Sequence, residues 1–366
     1  MHRAAPIAIL TAALVLMVGA RAASAQAPPG PITAPAQIQE PPKAAVRVQV
    51  DWVSTPVTVR NSKGELELNL AEKDFRVFQD GVEQKIEHFD LGGDPLSIVI
   101  VVETSSRVEP LLPAVRNTAV LFSQDVMPGN VQAAIVAYDD HPKVLEAFTS
   151  SGDAIERAIK HLPGGLSGAG LYDALSRGVD MLSRQPRERR RVIFAIGEPV
   201  DTGSETKLGE VLRAAQLQNV TIYSVGLSTT AAELRAQQRG PVSPYPEGIS
   251  PMPGPPGIPQ TPSTMQIENT SADLGAAVIW VVQHVKATVK DNALELAAAG
   301  TGGENVAAFK DRTVEKAVGQ IARELHAQYT LSYHPNTGND SGFHTISVKV
   351  DRAGMKVRAR PGYFLE

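Results

Sequence analysis

Leu96-Ser97-Ile98-Val99-Ile100-Val101-Val102 decides the fold. It is apolar at every position but Ser97. A strand of this kind needs cover on both faces, as in a parallel sheet flanked by helices. Similar runs follow at Val131 to Tyr138, Arg191 to Ile196 and Val220 to Val225. Between them, helical periodicity appears near 110–125, 152–161, 170–184 and 205–218. Strands alternating with helices imply right-handed βαβ units and a doubly wound α/β sheet. Pro142 to Ser150 is expected to add an antiparallel edge hairpin. Helices resume near 271–298 and 311–327, after a segment (241–262) with nine prolines and three glycines that reads as a loop insertion.

Outside this centre the period changes to two. Val46, Val48, Val50 and Trp52 alternate with Arg47, Gln49 and Asp51, and Val57 and Val59 continue after Pro56. This predicts a strand with one buried face. Phe75 to Phe78, the Asp80-Gly81 pair and Lys85 to Phe89 read as a hairpin. At the other end Tyr329, Leu331 and Tyr333 alternate, as do Ile346, Val348 and Val350; Val357 to Arg360 and Gly362 to Phe364 close the chain. Each half-buried segment must find a sheet to pack on. The economical arrangement is one small β-sandwich built from both ends, 45–93 and 329–366, with an α/β domain (94–328) inserted into it.

Length and composition bound the rest. The chain has 366 residues, 43% apolar and 20% charged, enough for a sizeable core. Thirty-five Lys and Arg against 39 Asp and Glu give a charge of −4, with no general attraction to nucleic acid. Cysteine is absent, which excludes disulfides, thiol nucleophiles and thiolate metal sites. The N-terminus has Arg3, an apolar run from Ala4 to Ala20, and Ala23-Ser24-Ala25. This reads as a signal peptide over 1–25, cleaved after Ala25, with an uncleaved anchor as the alternative. Residues 26–44, rich in proline, follow as a linker. Leu274 to Val282, the longest later apolar run, reads as a core helix, so no transmembrane helix is expected after cleavage. The expected localisation is exported, periplasmic or secreted.

Several motifs in this order resemble the exported bacterial proteins related to the von Willebrand factor type A (vWA) domain. They are Lys73-Asp74-Phe75-Arg76-Val77-Phe78-Gln79-Asp80-Gly81, the Ile98 to Ser106 strand and loop, Leu171-Tyr172-Asp173-Ala174, Thr301-Gly302-Gly303, Glu324-Leu325-His326-Ala327-Gln328-Tyr329-Thr330-Leu331-Ser332-Tyr333, and Val357 to Phe364. The resemblance spans roughly 46–366. It implies a Rossmann-like sheet with a divalent-cation site at its C-terminal edge. That site uses an Asp-x-Ser-x-Ser loop, a Thr on a second loop and an Asp after the fourth strand, and its open position takes an acidic group from a partner protein. Carried over residue by residue, Glu103 replaces the Asp, Ser105 is retained, Arg107 replaces the last Ser, Ala169 stands at the Thr position and Ile196 at the second Asp. Glu198 and Asp201 lie close by in sequence. A longer carboxylate fits poorly around Mg²⁺ at ~2.1 Å, and a nearby guanidinium opposes a cation. The expectation is therefore a degenerate site without metal, in which Arg107 neutralises Glu103.

Other chemistry is sparse. Ser204-x-x-Lys207 lacks the companion motifs of Ser-Lys hydrolases and reads as a cap on the helix after the fourth strand. The eight histidines form no metal-binding spacing. Arg184, Arg187, Arg189, Arg190 and Arg191 read as a solvated loop, with an anion or partner patch as the alternative. The function expected is a non-enzymatic, adhesion-type module that binds a protein or cell-envelope component through Glu103, Ser105, Arg107, Ala169, Ile196, Glu198 and Asp201, with no cofactor. The alternatives are a Mg²⁺-dependent module coordinating through Glu103, Ser105 and a displaced Asp201 or Glu198, and a hydrolase.

Overall fold

The run that opens the α/β centre becomes strand β5 (Leu96–Glu103), buried at every residue. The computed structural model describes residues 52–227, 292–308, 311–335 and 342–365. The signal-peptide and linker segments, the Pro-rich insertion and Leu274 to Val282 lie outside them. β5 pairs in parallel with β6 (Val131–Tyr138) and β8 (Arg190–Gly197), and β8 with β9 (Val220–Leu227). β10 (Asn305–Ala308) extends the sheet in parallel, and β7 (Pro142–Thr149) closes the other edge antiparallel to β6. The six-stranded order is β10-β9-β8-β5-β6-β7.

The alternation along β5 divides the core in two. Ile98, Ile100 and Val102 face α1 (Leu112–Asn117), α3 (Gly152–Lys160) and α7 (Asp311–Leu325). Val99 and Val101 face α4 (Leu171–Ser183), α5 (Leu208–Leu217) and α6 (Ala293–Thr301). The single helix expected near 110–125 is broken into α1, one turn α2 (Ala119–Leu121) and a π turn over Phe122–Val126. Thr118 explains the first break. Its hydroxyl donates back to the Val115 carbonyl at 2.6 Å, a contact that bends helices.

The flanking segments form two four-stranded antiparallel sheets. One has the order β13-β1-β11-β4 and the other β14-β12-β2-β3. Their strands are β1 (Val53–Arg60), β2 (Phe75–Gln79), β3 (Val82–Gln84), β4 (His88–Leu91), β11 (Tyr329–Tyr333), β12 (Gly342–Val350), β13 (Lys356–Ala359) and β14 (Gly362–Leu365). Val53, Val57, Phe75, Val77, Tyr329, Leu331 and Ile346 share one core between the sheets. Strands from both ends of the chain thus build a single sandwich.

Two local expectations are corrected, and a third falls largely outside the described residues. Residues 46–51 of the predicted first strand lie outside the described residues, and the described strand starts at Val53. It tolerates Pro56 because β13 pairs only from Val57 onward, leaving one side of β1 free at the proline. The hairpin over 75–89 turns at Asp80 (φ 49°) and Gly81 (φ 81°) as expected, but its return strand stops at Gln84. The chain then crosses to the other sheet, where Phe89 lies opposite Leu331. The arginines before β8 are not simply a solvated loop. Arg190 and Arg191 are buried, and Arg189 donates to the carbonyls of Leu96 (2.6 Å) and Asn130 (2.9 Å).

Candidate functional site

Glu103 ends β5 with its carboxylate buried, so it needs donors on both oxygens. Oε1 accepts the Ser105 hydroxyl at 2.6 Å and Arg107 Nη2 at 3.0 Å. Oε2 accepts the Glu198 backbone N–H at 2.7 Å and the Tyr138 hydroxyl at 3.4 Å. Burial, reinforced by the Glu103 charge, holds the Tyr138 pKa well above its ordinary value, so this hydroxyl stays a donor. The Arg107 side chain, only 6% exposed, also reaches Glu198 Oε2 (Nε at 3.5 Å) and the Val200 carbonyl (3.1 Å). The Glu103–Arg107 pair expected from their four-residue spacing is therefore present, and Glu198 joins it. Gly197 makes the approach possible, since a Cβ there would lie 2.2 Å from the Tyr138 hydroxyl.

Three loops are stitched around this pair. Gly165 N–H donates to the Thr104 carbonyl at 2.7 Å, and Ser106 N–H to the Leu166 carbonyl at 2.8 Å. Ala169 and Thr202 exchange two bonds, N–H to Oγ1 at 2.8 Å and N–H to carbonyl at 2.9 Å. Asp201 Oδ1 accepts Tyr172 N–H at 3.2 Å and the Ser204 hydroxyl at 2.5 Å, and Ser204 Oγ in turn accepts Asp173 N–H at 3.1 Å. Ser204 therefore caps α4, not the helix after the fourth strand. That next helix, α5, takes Lys207 as its N-cap residue. The Asp173 carboxylate returns the contact by accepting the N–H groups of Glu205 (3.0 Å) and Thr206 (2.9 Å). This reciprocal latch was not legible in Leu171-Tyr172-Asp173-Ala174.

The seven residues read from the sequence do converge on one edge, but most of them lie beneath its surface. Glu103, Ser105, Ala169, Ile196 and Glu198 are all buried. Ala169 and Ile196 pack in the two faces of the α/β core, and neither side chain carries an oxygen. The outward side chains are others, chiefly Leu166, 63% exposed on the second loop. A lone leucine in the glycine-rich stretch Gly164-Gly165-Leu166-Ser167-Gly168 was the available signal for it. Among the described residues no group of three or more acidic or histidine side chains is arranged to hold a metal ion.

Residues 97–239 match the family model described as von Willebrand factor type A domain. Among solved structures, the conserved hypothetical protein BatB from Bacteroides thetaiotaomicron is 12% identical at a TM-score of 0.38, over 63% of this chain and 98% of that one. An aerotolerance-related membrane protein from Bacteroides fragilis has the same identity and score, over 63% and 99%. Proximal thread matrix protein 1 from the mussel byssus is 11% identical at a TM-score of 0.42, over 68% and 51%. All three lie below a TM-score of 0.5, and the fold rests on the strand order and the family match. No curated protein matches the sequence.

Proposed function

We propose, from the match of residues 97–239 to the von Willebrand factor type A domain model, that this chain is an exported, non-catalytic protein-binding module whose sheet edge works without a resident metal ion. One observation carries the reading: the Arg107 guanidinium occupies the place of a cation between Glu103 and Glu198. The donor set argues the same way. Both Glu103 oxygens already have partners, Ser105 uses its hydroxyl to donate to one of them, and Ala169 and Ile196 offer no oxygen. Mg²⁺ requires near-octahedral oxygen ligands at ~2.0–2.1 Å and usually keeps several waters. A closed pair with a guanidinium inside it meets neither demand.

The partner surface is then the ring of loops around the buried pair, with Leu166 at its exposed crest. Export rests on Arg3, the apolar run and Ala23-Ser24-Ala25, and N-terminal sequencing of the mature protein should begin at Gln26. Among the described residues no helix is long and apolar enough to cross a membrane. The deciding measurement for the site is calorimetric titration with Mg²⁺ and Mn²⁺. No saturable heat is expected. Stoichiometric binding at micromolar affinity, abolished by Ser105→Ala, would overturn the metal-free reading and establish the metal-dependent one.

A further inference from the structure

β1 and β11 turn one face to the sandwich core and the other toward the α/β layer. Val53, Leu331 and Tyr333 lie in the core, so the alternating Ser54 and Ser332 stand on the opposite face, directly across from each other in the register. On β9, Thr221 lies two residues before Tyr223, whose hydroxyl reaches Glu324 in the joint between the layers. Ser54, Thr221 and Ser332 line one cavity of about 180 Å³ between the layers, at the start of β8 and β9. None of the three hydroxyls has a hydrogen-bond partner among the described residues, although Thr221 is 6% and Ser332 7% exposed. The neighbouring Thr330 hydroxyl is closed off from solvent, and these three are not. Polar groups this deep are seldom left without a partner.

The rest of the lining adds polar groups without a net ionic pull. Asn219 is exposed there; its Oδ1 accepts Arg360, and its amide N–H groups make no hydrogen bond among the described residues. Arg189, Arg190 and Arg191 are committed to carbonyls of the protein, and the exposed Arg187 is balanced by the exposed Glu188. Beyond the cavity the same two strands lead to an aromatic pair. Trp52, two residues before Ser54, is 49% exposed. Its ring meets that of His334, two residues after Ser332, with 4.1 Å between centroids and 47° between planes. We propose that this cavity binds one ring of a neutral sugar. The sugar hydroxyls exchange hydrogen bonds with Ser54, Thr221, Ser332 and Asn219, and a C–H face packs on Trp52. A serine or threonine hydroxyl both donates and accepts, as a sugar hydroxyl does, so each can match the other. An aromatic ring beside them takes the apolar face of the same ligand. The volume corresponds to about six waters at ~30 Å³ each, close to the bulk of one pyranose ring. The site lies at the end of the sheet opposite Glu103 and does not depend on the reading of that edge.

The test is calorimetric titration of the full chain with glucose, galactose, mannose and N-acetylglucosamine. Saturable binding of at least one is expected, with a Kd of about 1 mM. Trp52→Ala should weaken it about tenfold and Ser332→Ala about threefold, both without a shift in the denaturation midpoint. If Trp52→Ala does lower the midpoint, Ser332→Ala decides alone. Inorganic phosphate should neither bind nor compete. The trimer of the bound sugar separates two sources of the same chemistry: a site for a free sugar gains nothing from it, and a site for a glycan chain binds it about tenfold tighter. Absence of saturable heat with all four sugars up to about 20 mM would overturn the proposal. So would binding that Ser332→Ala leaves unchanged, or that phosphate displaces.

Discussion

Two buried ion clusters anchor this molecule, and they are assembled from opposite kinds of neighbours. At the C-terminal end of β5, Glu103 and Glu198 share one guanidinium, and Glu103 lies four residues from Arg107. At the joint between α7 and the sandwich, Glu324 and Glu304 face two, Arg60 and Arg358. There Glu324 accepts Arg60 Nη2 at 2.8 Å, the Tyr223 hydroxyl at 2.9 Å and the Thr58 hydroxyl at 3.0 Å, besides Arg358. Gln328 extends the network by donating to Thr58 Oγ1 at 3.1 Å and to the Tyr223 hydroxyl at 2.6 Å. Burial works against the Glu324 charge, but Arg358 and the surrounding donors hold its pKa below the ordinary value. The first cluster closes a set of loops within one domain. The second bolts two layers together across more than 260 residues of sequence. A buried ion pair is therefore no guide to function by itself; what it joins matters more.

Substitutions can break this comparison. Glu324→Gln should have the largest effect, about 3–5 kcal/mol in chemical denaturation, because two partly buried arginines are then left with Glu304 as their shared counter-charge and the buried network loses its charged centre. Hydrogen exchange should then speed up in β1 and β13 as well as in α7. If protection fell in α7 alone, the network would not be joining the layers. Arg107→Met should cost less, about 2–3 kcal/mol, with exchange faster in the three loops and unchanged in the sandwich. A cost above that of Glu324→Gln would invert the comparison.

Smaller effects sharpen it. Ser105→Ala removes one of four donors to Glu103 and should cost about 1 kcal/mol, read as a shift in the denaturation midpoint. Asp173→Asn tests the latch between α4 and the loop before α5. Burial works against the Asp173 charge, but its hydrogen bonds with Thr206 and Glu205 hold the carboxyl below its ordinary value. A folded pKa below the unfolded one adds stability above the carboxylate range, and that stability is lost as pH falls through it. The substitution should therefore cost about 0.5 kcal/mol near pH 7, screened by solvent, and almost nothing near pH 2. An equal cost at both pH values would remove the charge from the explanation.

What could be read from the residues in order was whatever repeats over a few positions. LSIVIVV predicts a doubly covered strand because each of its faces is apolar, and the two faces do enter two different cores. Alternation at Tyr329, Leu331 and Tyr333 predicts a strand with one buried face; those three side chains do share the sandwich core, but Thr330 and Ser332 on the other face are buried too, because the α/β layer covers it. Glu103 and Arg107 could be paired on paper because four residues separate them on one loop. Nothing local marked Glu324 as the meeting point of Thr58, Arg60, Tyr223 and Arg358, since no periodicity spans such separations. Nor did adjacency in sequence show that Arg190 and Arg191 would be buried while Arg187 stays exposed. Local period set the elements, because backbone geometry repeats every two or 3.6 residues. The partners of the buried charges were decided only when the layers closed, because burial makes an unpaired charge costly and each had to find an opposite from whatever part of the chain packed against it.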